Sequence, residues 1–256
     1  LYRDCDYQDT SSFTKDIFNS VAPHTKTIFI TRLDKLVANL PSHHAYTVDY
    51  FIDHHTLLPG FSPFLSHTTI SKLRAGFSLG KQIYGEARVG INRKKFSSTD
   101  YFRYCPVCAL EDKEKYGEAY LHRVHQFHSV HVCPHHKVWL ENSTIHWRSL
   151  ERSEYLQLEG NIPIGSVPRY ISDKTGEILL TYAEQVFQLL TNNQLLPGKT
   201  KLVSIYRSLL AKQGFGTEKM MRWQEINSAF NDLYPKELLH KLGCELNKSS
   251  LKGHWL

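Results

Sequence analysis

Cys105 and Cys108 form a Cys-x2-Cys pair, and after a gap of 24 residues Cys133 and His136 form a Cys-x2-His pair. Two ligands separated by two residues can reach one ion from a single tight turn. Two such turns supply four ligands, the tetrahedral set that Zn²⁺ prefers. Both pairs open on Cys-Pro (Cys105-Pro106 and Cys133-Pro134), and proline pre-sets a backbone angle suited to such a turn. Three thiolates and one imidazole fill a four-coordinate shell and leave no position for water or substrate. The chemistry expected is therefore that of one structural Zn²⁺ and not of a catalytic metal. His135 competes for the fourth position, but the x2 spacing of the first pair favours His136.

Other residues near this set carry chemistry of a different kind. His122, His125, His128 and His131 recur every third residue, yet their direction drifts around a helix and no thiol or carboxylate joins them. They read as solvated or hydrogen-bonded imidazoles and not as a second metal site. Arg123 and Gln126 lie between the two pairs. Either they contact DNA phosphates or a partner, or they hydrogen-bond the metal loops. The basic run Arg93-Lys94-Lys95 is a solvated loop or a phosphate contact. Further on, Lys219, Arg222 and Gln224 lie on or near the polar side of a helix. In a major groove Arg222 and Gln224 would read base edges and Lys219 would hold phosphate, whereas a plain helical bundle would use the same residues for protein contact. Paired carboxylates of the kind a Mg²⁺-dependent nuclease needs are absent from the pattern, so an enzyme is not expected.

Composition is that of a folded protein, at 256 residues with 41% hydrophobic and 22% charged residues. No apolar run approaches the about 18 residues of a membrane span, so no membrane partner is expected. The start, Leu1-Tyr2-Arg3-Asp4, lacks a basic and apolar leader, and the chain reads as part of something longer. The remaining cysteines, Cys5 and Cys244, are singles. An odd cysteine count with two knuckles fits metal ligation in a reducing compartment, not a disulfide framework. A formal net charge of +6 is compatible with a polyanionic partner.

The elements that must position these residues read as mostly α. Ile28, Leu33, Leu36, Val37 and Leu40 fall near helical spacing, ended by Pro41; Ala45 to Leu58 repeats the pattern until Pro59-Gly60. Ser66 is an N-cap for a helix running toward Gly76, and another helix is expected around Lys81 to Arg88. Between the knuckles, Gly117 to Phe127 looks helical and Val130 to Val132 extended. After Thr175 a long amphipathic face appears in Ile178, Leu179, Tyr182, Val186, Leu189 and Leu190. A second helix covers Lys201 to Lys212. Gly214-Phe215-Gly216 breaks it, Thr217 is an N-cap for a third helix carrying Trp223, Ile226 and Phe230, and Pro235 opens a fourth. Helix, glycine turn, helix is the layout of a helix-turn-helix unit. Four regions result: a helical N-terminal region 1–97, a zinc-knuckle module with short strands 98–141, an irregular connector 142–174, and a C-terminal helix-turn-helix-like bundle 175–256.

Several stretches carry a family resemblance. They are Phe102-Arg103-Tyr104-Cys105-Pro106-Val107-Cys108, Tyr116-Gly117-Glu118-Ala119-Tyr120, His125-Gln126 and Cys133-Pro134-His135-His136. Together they resemble the TniQ family. Its TnsD-type branch is resembled further by Leu40-Pro41-Ser42-His43, by His55-Thr56-Leu57-Leu58-Pro59 with Phe64, and by the unit from Gln213-Gly214-Phe215 to Leu242. The resemblance implies a non-enzymatic, cytoplasmic bacterial protein, near the nucleoid, that binds a double-stranded DNA target site. It implies recruitment of an AAA+ ATPase transposition regulator and, through it, a transposase complex. Other members of the family join CRISPR effector complexes instead. The family's additional N-terminal segment and C-terminal continuation are not matched.

Overall fold

The computed structural model describes residues 10–19, 31–80, 101–146, 157–192 and 198–242. Helix dominates these residues, with one two-stranded sheet beside the cysteine-rich segment. Ile28, the region expected to be helical at Lys81 to Arg88, the run Arg93-Lys94-Lys95, and Cys5 and Cys244 lie outside the described residues.

The N-terminal part contains α1 (Thr10–Phe18), α2 (Leu33–Ala38), α3 (Val48–His55), α4 (Leu58–Phe61) and α5 (His67–Leu79). Caps set where they begin. Thr47 Oγ1 accepts the Tyr50 N–H at 3.0 Å to start α3, and Ser66 Oγ accepts the Thr69 N–H at 3.2 Å to start α5. Leu33, Ile52, Leu58, Leu65, Leu73 and Phe77 close into one buried cluster. Arg74 on α5 locks this packing by reaching Asp49 and Asp53, one turn apart on α3, at 2.6 and 2.7 Å. The helix expected over Ala45 to Leu58 is interrupted: the backbone is extended at Thr56 and restarts as α4. Pro59 sits in the first turn there, where a missing N–H leaves no hydrogen bond unmade. Gly60 follows because a Cβ at that position would stand 2.6 Å from the Phe127 ring.

The central part differs from the expectation in its order of elements. Strand β1 (Tyr101–Tyr104) leads directly into α6 (Pro106–Tyr116), which Gly117 ends in the left-handed conformation, φ +82°. Gly117 to Phe127 is therefore not a helix; it holds only a 3-10 turn at Arg123–Gln126. The proline after Cys105 does not merely shape a turn. It occupies the first turn of α6, with Cys105 as the cap. Of Val130 to Val132, only Val132 is bridged, to Trp139. Strand β2 (Glu141–His146) pairs antiparallel with β1, Arg103 opposite Asn142 and Tyr104 opposite Glu141, and so continues regular structure past residue 141.

The C-terminal part consists of α7 (Lys174–Thr191), α8 (Gly198–Lys212), α9 (Trp223–Leu233) and α10 (Lys236–Lys241). Asp173 caps α7, its Oδ1 accepting the Gly176 N–H at 2.6 Å. The apolar face of α7 enters two cores. Ala183, Val186 and Leu190 pack with Leu57, Val124, Phe127 and Val130, while Leu179 packs with Val132 and Leu238. Thr217 does not cap α9. It closes a turn with Met220, whose N–H reaches the Thr217 carbonyl at 3.0 Å, and α9 begins six residues later at Trp223. None of these helices, as described, is long and apolar enough to cross a membrane.

Candidate metal centre

Two local devices carry the four ligands. Cys105 ends β1 and caps α6, its Sγ accepting the Cys108 N–H at 3.4 Å, so both thiols sit at one helix N-terminus. Cys133 and His136 share a turn closed by the Lys137 N–H on the Cys133 carbonyl at 3.0 Å and by the Cys133 N–H on the Val138 carbonyl at 2.8 Å. Lys137 takes the left-handed conformation, φ +56°, to let the chain leave that turn.

The turns face each other. The ligand atoms of Cys105, Cys108, Cys133 and His136 all lie within 4.8 Å of one another, and the three thiols are buried. His136 Nδ1 stands 3.2 Å from Cys108 Sγ, 3.5 Å from Cys105 Sγ and 3.7 Å from Cys133 Sγ; the Cys108 and Cys133 sulfurs are 3.7 Å apart. A tetrahedron with Zn–S bonds of about 2.3 Å has edges of about 3.8 Å, so these separations fit a shared four-coordinate ion. The electrostatics agree. Hydrogen bonds to Cys105 and Cys133, then burial, push the Cys108 thiol well above the ordinary thiol range. Contacts from Cys105 and Cys108 hold Cys133 well below it. Packed this closely, the thiols cannot all ionise unless a cation joins them. Among the described residues this is the one group arranged to hold a metal ion.

His135 is turned away, exposed, with its ring edge-on to Phe187 at 4.6 Å between centroids. The four recurring histidines diverge. His122 Nε2 pairs with Asp112 at 2.8 Å and its ring stacks on Tyr120. His131 Nε2 reaches the Lys241 carbonyl at 2.8 Å. His128 and His131 are both lowered to about 4, chiefly by burial. His125 is fully buried; burial pulls its pKa below the ordinary imidazole value, while the neighbouring Cys133 sulfur acts in the opposite sense.

Arg123 and Gln126 are both engaged inside the protein. The Arg123 guanidinium donates to the carbonyls of Asp53 (2.6 Å), Thr56 (3.0 Å) and Leu190, joining the end of α3 to the end of α7. Gln126 brackets the Arg103 backbone, accepting its N–H at 3.1 Å and donating to its carbonyl at 2.6 Å. Arg103 itself is a buried cation whose fork donates to the carbonyls of Val130, Phe127 (2.8 Å) and His128 (3.0 Å), and burial lowers it to about 10. Sequence reasoning missed this role. Its signal was a charge flanked by two aromatic residues in a short strand.

The residues expected to meet DNA are placed as follows. Lys219 lies in the exposed turn before α9. Arg222 is the residue preceding α9, donating to Glu225 at 2.9 Å and to the Gly214 carbonyl. Gln224 is exposed in the first turn of α9.

Residues 5–140, just over half of the chain and including all four ligands, match the family model TniQ. The chain belongs to the TniQ family. The chain is also similar to the transposon Tn7 transposition protein TnsD of Escherichia coli, with 22% identity over 204 residues. The match covers 78% of this chain and 39% of that protein, so the chain spans about two-fifths of the length of this relative.

Proposed function

We propose that the chain is a zinc-braced, non-enzymatic DNA-binding adaptor that helps select the insertion target of a bacterial transposon. The observation that carries this reading is the Cys105, Cys108, Cys133 and His136 group, set within the residues that match the family model, in a chain similar to a Tn7 transposition protein. Three thiolates and an imidazole suit Zn²⁺ by softness and by geometry. Such an ion takes part in no step of a reaction. When bound it joins two turns and compensates the three thiolates, and the chain's own residues do the rest. Cys105 and Cys108 fix the end of β1 to the start of α6, and Cys133 and His136 fix the turn leading to β2.

DNA contact falls to the C-terminal helices, read as a helix-turn-helix-like bundle. Gln224 and Arg222 meet base edges from the start of α9, Lys219 holds phosphate, and the Arg93-Lys94-Lys95 run adds further phosphate contact. Arg222 must first leave Glu225 and the Gly214 carbonyl, whereas Lys219 and Gln224 are already exposed. Recruitment of an AAA+ ATPase regulator, and through it a transposase complex, completes the role in the bacterial cytoplasm.

Gel shift of the zinc-loaded chain on duplex DNA across salt concentrations tests this reading, followed by footprinting on candidate target DNA. A shift that weakens steeply with salt is expected, with a footprint lost in folded Arg222→Ala and Gln224→Ala variants. Absence of any shift at low salt, or Mg²⁺-dependent cutting by the chain alone, would overturn it.

A further inference from the structure

His136 presents Nδ1 to the three sulfurs, and its other ring nitrogen, Nε2, lies 3.0 Å from Glu111 Oε2. Glu111 stands three residues beyond Cys108 on α6, so one helix face carries both a sulfur ligand and a carboxylate toward the same imidazole. A metal-binding histidine can use either nitrogen. The choice is set by what the other nitrogen meets, and a carboxylate there holds the proton on that side and raises the basicity of the ligating atom.

We propose that Glu111 is a positioning residue for the metal centre: it fixes His136 as the Nε2–H tautomer and turns Nδ1 into the sulfur shell. This rests on the metal reading above. The same contact explains why His136 and not its neighbour completes the shell, since His135 has Phe187 beside its ring and no carboxylate contact among the described residues. Glu111 is 62% exposed, so its pull on the proton is partly screened by water. Its main effect is therefore on orientation and on how readily the histidine arm leaves the ion. Of the four ligands the imidazole is the least buried, which makes that arm the natural point of release.

The test is chelator-driven zinc release from the full chain, with ring ¹⁵N–¹H spectra of His136, for the native protein, Glu111→Ala, Glu111→Gln and the same-helix control Glu114→Ala. Native protein should bind one zinc and show a single Nε2–H tautomer. Glu111→Ala should release zinc about 10–100-fold faster and lose the hydrogen-bonded Nε2–H signal. Glu111→Gln, which keeps an acceptor oxygen, should retain the tautomer with intermediate release, and Glu114→Ala should match the native protein. Native-like release and an unchanged tautomer in Glu111→Ala would overturn the role of Glu111 while leaving the metal site standing. Failure of the native chain to hold zinc would overturn both.

Discussion

His131 Nε2 lies 2.8 Å from the Lys241 carbonyl oxygen, which ties the segment entering the second knuckle to the last turn of α10. Ser129 Oγ donates to the Leu242 carbonyl at 3.1 Å, Lys241 Nζ sits over the Trp139 ring at 5.6 Å, and Val132 is buried against Leu179 and Leu238. The residue before Cys133 thus belongs to the same small core as the last described helix. Order at the metal centre and order at the C-terminal end are one structural problem. Removing the metal, or substituting Cys133→Ser, should loosen residues 101–146 and also α10. Hydrogen exchange should show α10 amides exchanging on the order of tenfold faster or more, because loss of a structural zinc removes about 10 kcal/mol or more of apparent binding free energy from the module.

Arg123 is expected to act as a clamp. Its three carbonyl acceptors come from α3, from the break after α3 and from α7, so no shorter or singly pointed side chain replaces it. Arg123→Ala should lower stability by about 2–4 kcal/mol, and Arg123→Lys should recover less than half of that loss. Urea unfolding at fixed zinc concentration measures both.

Lys137 holds a left-handed backbone at the exit of the second knuckle. A non-glycine residue there is disfavoured by about 1 kcal/mol, so Lys137→Gly should stabilise the zinc-loaded protein by a few tenths to about 1 kcal/mol. A thermal melt of the metal-loaded chain reads this directly, and a fall in melting temperature would contradict it.

Acid sensitivity should have a component separate from the metal. His128 is lowered from 6.5 to about 4, first by burial and then by the charge of Arg103. With the folded pKa below the unfolded one, the unfolded chain binds more protons between those values. Stability from this group is therefore present above about 6.5 and lost as pH falls toward about 4. His128→Asn should lose less stability than the native protein across that window, measured as the difference between paired urea titrations at each pH.

Some of this was legible in the sequence, and physics explains which parts. The grouping of Cys105, Cys108, Cys133 and His136 could be read because each pair is a local device: a two-residue spacing is enough to turn both side chains toward one point. The long α7 face could be read because 18 residues give a helical period room to show. Helix α6 could not, since Pro106 fits both a tight turn and a helix first turn, and neither could the pairing of β1 with β2. That pairing joins residues about forty apart across a register shift, which no window on the sequence detects. Arg103 and Arg123 look like surface cations until burial and backbone carbonyls are seen around them. Glu111 was in view three residues after Cys108, but nothing in the spacing says where an imidazole nitrogen will point.

The central claim is that one metal ion, held by Cys105, Cys108, Cys133 and His136, organises the hub of this chain. Native mass spectrometry of the chain purified without added chelator tests it most directly. The account predicts one zinc per native chain, none in Cys133→Ser, and full occupancy in His135→Ala. A native chain carrying no metal, or a Cys133→Ser variant as fully loaded as the native protein, would contradict it.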